Sequence, residues 1–154
     1  MIFFPFISSI MAWEPIDDGG SPISWSNGNP ETQWRMSSSY PSSSMNWSTA
    51  ESKLSNGINE WSQPGCTSFN ASQISDTNAS PLNWEDSDNT VGFLGSGWPA
   101  EFGSGTLAVT LPYYVGSEII QSDMAFNEQD FYFINGSPSD WEGADLESVA
   151  VHEF

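Results

Sequence analysis

The last ten residues, Asp145-Leu146-Glu147-Ser148-Val149-Ala150-Val151-His152-Glu153-Phe154, carry the two side chains best suited to chemistry. His152-Glu153 is the first half of H-E-x-x-H, the helical pattern in which two histidines one turn apart hold zinc and the glutamate works on the water that the metal activates. A bare His-Glu pair is common, so its place on the helix matters. At about 100° per residue, and with Leu146 at zero, Val149 falls at ~300° and Ala150 at ~40°. Glu153 then falls at ~340°, between them, and His152 at ~240°, on the flank. A glutamate centred on an apolar stripe is costly to bury unless it has a partner such as a metal-activated water. The bland alternative is a frayed last turn with both side chains solvated.

Several elements must position that pair. Asp145 is a sensible N-cap for the terminal helix. Ser48-Thr49-Ala50-Glu51 has the form of a capping box opening an earlier helix. Ala50, Leu54, Ile58 and Trp61 follow at i, i+4, i+8 and i+11, which is one buried face, and Pro64-Gly65 stops it. Strands are expected over Thr32 to Met36, Thr67 to Ile74, Asn89 to Leu94, Leu107 to Val115 and Ser117 to Phe126. Pro112 cannot donate to a central ladder, so the Leu107 to Val115 run belongs at a sheet edge. Ser37 to Ser44 and Asn127 to Gly143 read as loops.

Composition sets the limits. A chain of 154 residues with 38% hydrophobic content, 8 Trp and 10 Phe is one folded domain with a real core. Arg35 and Lys53 are the only basic residues against 20 acidic ones, and the net charge is −18. Such a field repels phosphate backbones and argues against nucleic acid as a partner. It attracts cations; calcium could be held by Asp86, Asp88 and Asp123, although no EF-hand spacing supports it. Most of the carboxylates read as solubility.

Residues 1–12 read as an export signal and 13–30 as a linker. Ile2 to Met11 is apolar and Ala12 offers a small residue for cleavage, although no Lys or Arg precedes the run. The run is too short to span a bilayer; the alternative is a buried N-terminal strand. A secreted, extracellular protein is the expectation. Cys66 is the single cysteine, so no disulfide closes within these residues.

The order of these elements resembles the N-terminal part of matrixin-like metalloproteases of the metzincin clan, especially secreted bacterial members. Four stretches carry the resemblance: Ala50 to Trp61 as the first helix, Thr106 to Thr110 as the edge strand, Ser122 to Asn127 as the next strand, and Asp145 to Phe154 as the start of the active-site helix. The fold implied is α+β, a metzincin-like N-terminal subdomain. It has a twisted, mostly parallel sheet with one antiparallel edge strand and two long helices. Residues 31–154 would form it, cut within the active-site helix.

The function that the resemblance implies is zinc endopeptidase chemistry. In that family the helix continues as H-E-x-G-H-x-x-G-x-x-H. Carried over, His152 is the first zinc ligand and Glu153 the general base. Leu107, Ala108, Val109 and Thr110 bind an extended peptide substrate by strand addition. Animal matrixins hold a second, structural zinc largely through histidines. This chain has one histidine, and Ala125 stands near where a family strand histidine sits, so a histidine-built site is excluded within these residues. The family's propeptide cysteine is absent too.

A different class of function competes: a secreted, aromatic-rich domain that binds glycans or proteins without catalysis. Trp25, Trp34, Trp47, Trp84, Trp98 and Trp141 could stack on sugar rings. Sequons at Asn46, Asn70, Asn78 and Asn135 are explained by chance in a chain so rich in Asn and Ser.

Overall fold

Thr90-Val91-Gly92-Phe93-Leu94 is apolar on both faces, the pattern of a parallel strand covered from two sides. A computed structural model describes residues 19–25, 31–65, 69–83, 86–136 and 143–154, and there this run is the fully buried strand β4 (Thr90–Leu94). The preceding strands are β1 (Ser24–Trp25), β2 (Glu31–Met36) and β3 (Asn70–Gln73). The following ones are β5 (Ala108–Val115) and β6 (Glu118–Asn127). They form one six-stranded sheet. Its body runs β3–β2–β4–β6–β5, and β1 pairs with the start of β6 at Glu118 and Ile119. Every pairing is parallel except β5 with β6, an antiparallel hairpin. The protein is thus α+β with a mostly parallel sheet and one antiparallel edge strand.

Two helices cover one face: α1 (Trp47–Glu60), with 14 residues, and α2 (Leu146–Glu153), with eight. Ala50, Leu54 and Ile58 of α1 and Leu146 and Ala150 of α2 pack on Trp34, Met36, Val91, Phe93, Met124 and Phe126. Fully burying the Leu, Ile, Val, Met and Phe side chains among them contributes about 1.5–3 kcal/mol each. The other face is smaller: Leu94, Trp98 and Ala125, closed over by Tyr40, Leu82, Phe102 and Val109.

Four local expectations need correction. The cap of α1 is Asn46, not Ser48; Asn46 Oδ1 accepts from the Thr49 N–H at 3.0 Å, and Ser48 Oγ donates to the same oxygen. Trp47 packs against the core, which draws the helix start two residues upstream. Glu51, freed from a capping box, accepts from Gln73 Nε2 at 2.8 Å. Trp61 lies one residue past the helix end and is 43% exposed, not buried. The loop before α2 carries two short strands, β7 (Phe133–Ile134) and β8 (Ala144–Asp145), paired in parallel. The segment read as a linker supplies β1. The export-signal reading of residues 1–12 lies outside the described residues, as does Cys66.

Candidate active site

Helix α2 sets His152 and Glu153 on different sides. Asp145 begins the helix by accepting from the Ser148 N–H at 3.0 Å and the Ser148 hydroxyl at 2.6 Å. Burial alone would raise the Asp145 pKa, but the Ser148 and Gly136 hydrogen bonds outweigh it and hold the carboxyl below its ordinary value. The Gly136 N–H, at 3.0 Å, also ties the far end of the preceding loop to this cap. With the start fixed, Leu146 and Ala150 are buried, Glu153 is half-buried and His152 is exposed. That is the order which the helical angles require.

The far end of α2 is held as firmly. Phe154 packs edge-on against Trp34, with ring centroids 6.3 Å apart. Trp61 Nε1 donates to the Val151 carbonyl at 2.8 Å. Lys53 Nζ sits 2.8 Å from Glu147 Oε2, and that hydrogen bond raises the lysine pKa. Helix α1 and the residue that follows it therefore hold the first and last turns of α2.

Glu153 meets the edge strand. Thr110 Oγ1 lies 2.9 Å from Glu153 Oε2 and 2.7 Å from the Glu153 carbonyl oxygen. Thr110 pairs in register with Met124, and Ala108 with Phe126, so both side chains face the helices. The Leu107 carbonyl accepts from the Asn127 N–H at 2.8 Å, which makes those two a directly bonded pair. Backbone groups alternate along an antiparallel ladder. Val109 and Leu111 therefore also turn their N–H and C=O towards β6. Ala108 and Thr110 turn theirs to the outer edge, where none of the described strands pairs with them. Pro112 falls on the outward set, so its missing N–H removes nothing from the β5–β6 ladder.

The acidic residues singled out for calcium do come together, but as a hydrogen-bonded chain. Gln121 Nε2 reaches Asp86 Oδ1 at 3.1 Å and Asp123 Oδ2 at 3.2 Å. Asn83 Nδ2 donates to Asp86 Oδ2 at 2.8 Å, and Arg35 Nε to Asp88 Oδ1 at 3.0 Å. Asp123 is buried and also accepts from the Thr90 N–H at 2.8 Å. Gln121, buried at the centre, has no counterpart among the sequence expectations; a lone amide flanked by alternating strand residues carries little signal. A groove of about 340 Å³ beside Leu111 and Pro112, also lined by Leu82, Pro99, Glu101 and Phe102, opens on the sheet face opposite Glu153.

Of the tryptophans proposed as a sugar platform, Trp34 and Trp98 are buried and Trp47 packs against the core; Trp84 and Trp141 lie outside the described residues. No described helix is long and apolar enough to cross a membrane. Compared with known proteins, the chain matches no protein-family model and no curated protein.

Proposed function

We propose that this chain is the N-terminal part of a secreted zinc endopeptidase domain of the metzincin type, with Glu153 as general base and β5 as the strand that receives substrate. One observation carries the proposal. A half-buried glutamate at the end of a core helix is hydrogen-bonded to an edge strand whose outward ladder groups are unpaired among the described residues. The strand order, with a single antiparallel edge strand beside the helix that bears His-Glu, supports it.

Catalytic zinc takes three protein ligands and keeps one position open. Among the described residues no three His, Cys, Asp or Glu side chains gather for a metal ion. His152, exposed on the flank of α2, fits as one ligand; on this proposal the other two lie on a continuation of that helix beyond Phe154. Zinc, when bound, would polarise the scissile carbonyl and make a water molecule acidic enough to react near neutral pH.

The remaining work falls to this chain's own residues. Ala108 and Thr110 bond the peptide backbone in extended form, which aligns the scissile bond along the edge. Glu153 then removes the proton from the attacking water and delivers it to the departing amine.

The test begins with the reading frame after Phe154. Gly-His is expected at the next two positions, with a further histidine within the following turns. Another pair there, or no histidine, removes the proposal. The full-length protein should carry one zinc per chain and cleave peptides, and Glu153→Gln should keep the zinc and lose the cleavage. Normal cleavage by Glu153→Gln would refute the assigned base.

A further inference from the structure

Resting on the peptidase reading, we infer that Thr110 is a positioning residue: its hydroxyl holds the Glu153 carboxylate while its backbone binds substrate, so one residue joins the peptide-binding edge to the base. The geometry is specific. Thr110 Oγ1 has one proton and two acceptors within reach, the Glu153 carboxylate at 2.9 Å and the Glu153 carbonyl at 2.7 Å. Both acceptors belong to the same residue, so the one proton, shared between them, ties the carboxylate to its own helix turn. A glutamate has three rotatable side-chain bonds, and a charge-assisted hydrogen bond removes much of that freedom.

The placement of Thr110 makes the coupling direct. Its N–H and C=O lie on the outward edge of β5, and its side chain lies on the helix face, in register with Met124. A peptide added to the edge would bond Thr110's backbone while the same residue's hydroxyl sets where the carboxylate oxygens sit. Substrate that pulls β5 by a fraction of an ångström therefore moves the base with it. Ala108 and Pro112, the neighbouring outward residues, have no polar side chain to do this, and Val109 and Leu111 point to the opposite face.

The test uses the full-length protein with Thr110→Val, which keeps the β-branched shape and removes the hydroxyl, and Thr110→Ser, which keeps the hydroxyl. Thr110→Val should lower kcat by about ten- to a hundredfold, with KM within about twofold of the parent and zinc content unchanged. Thr110→Ser should restore most of the rate. Whatever residual cleavage Glu153→Gln retains should be the same with and without Thr110→Val, because the two residues act as a unit. Parent-like kcat in Thr110→Val, or equal loss in both Thr110 variants, overturns the inference. Crystal structures of the metal-free parent and Thr110→Val give a readout independent of activity. The Glu153 carboxylate should leave β5 in the variant, and a carboxylate that stays in place overturns the inference as well. A parent protein with no zinc and no cleavage defeats the peptidase reading alone, and the crystal comparison still decides whether Thr110 holds Glu153.

Discussion

A Cβ atom built on Gly57 would lie 2.7 Å from the Cβ of Ala150, and 3.1 Å from both the Glu147 carbonyl oxygen and the Val151 nitrogen. Helices α1 and α2 thus touch backbone to backbone at the point where α2 turns towards Glu153. One small residue from each helix permits that closeness: Gly57 from α1 and Ala150 from α2.

Gly57→Ala should therefore destabilise the protein, although alanine is the better helix former by about 1 kcal/mol. Overpacking of this kind costs about 1–3 kcal/mol, and here much of the contact is with backbone, which cannot rotate away. Urea unfolding should show a lower midpoint with an unchanged slope. A midpoint equal to or above the parent's would mean that the helices can separate without penalty.

Asn46 illustrates what the sequence makes legible and what it hides. Spacing at Ala50, Leu54 and Ile58 identifies the buried face of α1 correctly, because periodicity reports burial directly. The start of the helix is less legible: the Ser48 to Glu51 pattern points to Ser48, whereas Asn46, an equally good cap, takes the role where Trp47 packs on the core. Pro112 likewise places β5 at an edge through its missing N–H alone, whereas the contact between Thr110 and Glu153, 43 residues apart, depends on tertiary assembly. Gln121 in the acidic network is invisible for the same reason. Asn46→Ala should cost about 1 kcal/mol of stability, whereas Ser48→Ala should cost less. The reverse order in thermal unfolding would restore Ser48 as the cap.

Glu128 closes the loop after β2. Its two carboxylate oxygens accept from the Ser42 hydroxyl at 2.5 Å, the Ser43 N–H at 2.6 Å, the Ser43 hydroxyl at 2.8 Å and the Ser44 N–H at 3.2 Å. Glutamine has one acceptor oxygen in place of two, and its amide would face donors. Glu128→Gln should lose about 1–3 kcal/mol and expose the 42–45 segment to protease. Unchanged proteolysis at that loop would show that the serines hold their turn without the carboxylate.

Asp123 makes stability depend on pH in a direction opposite to that of a paired surface carboxylate. Burial pushes its pKa from 3.8 up to about 6. Hydrogen bonds from the Thr90 N–H and the Gln121 amide act against that rise, and the negative charges of Asp86 and Asp88 add to it. Because the folded-state value lies above the unfolded one, the proton favours the fold. The contribution is complete below about pH 3.8 and is lost as pH rises through about 6. The difference between those two values corresponds to at most about 3 kcal/mol, and solvent screening of the neighbouring charges reduces it. Asp123→Asn cannot ionise, so its stability relative to the parent should climb between about pH 4 and 6.5 and then level off. Its offset at low pH should be unfavourable, because the asparagine amide would face the Gln121 donor. Chemical unfolding of both proteins at several pH values measures the difference directly, and the changing charge of the other carboxylates cancels between them. Two parallel curves would mean that the Asp123 carboxylate is as well solvated folded as unfolded, and that water reaches the space between β4 and β6.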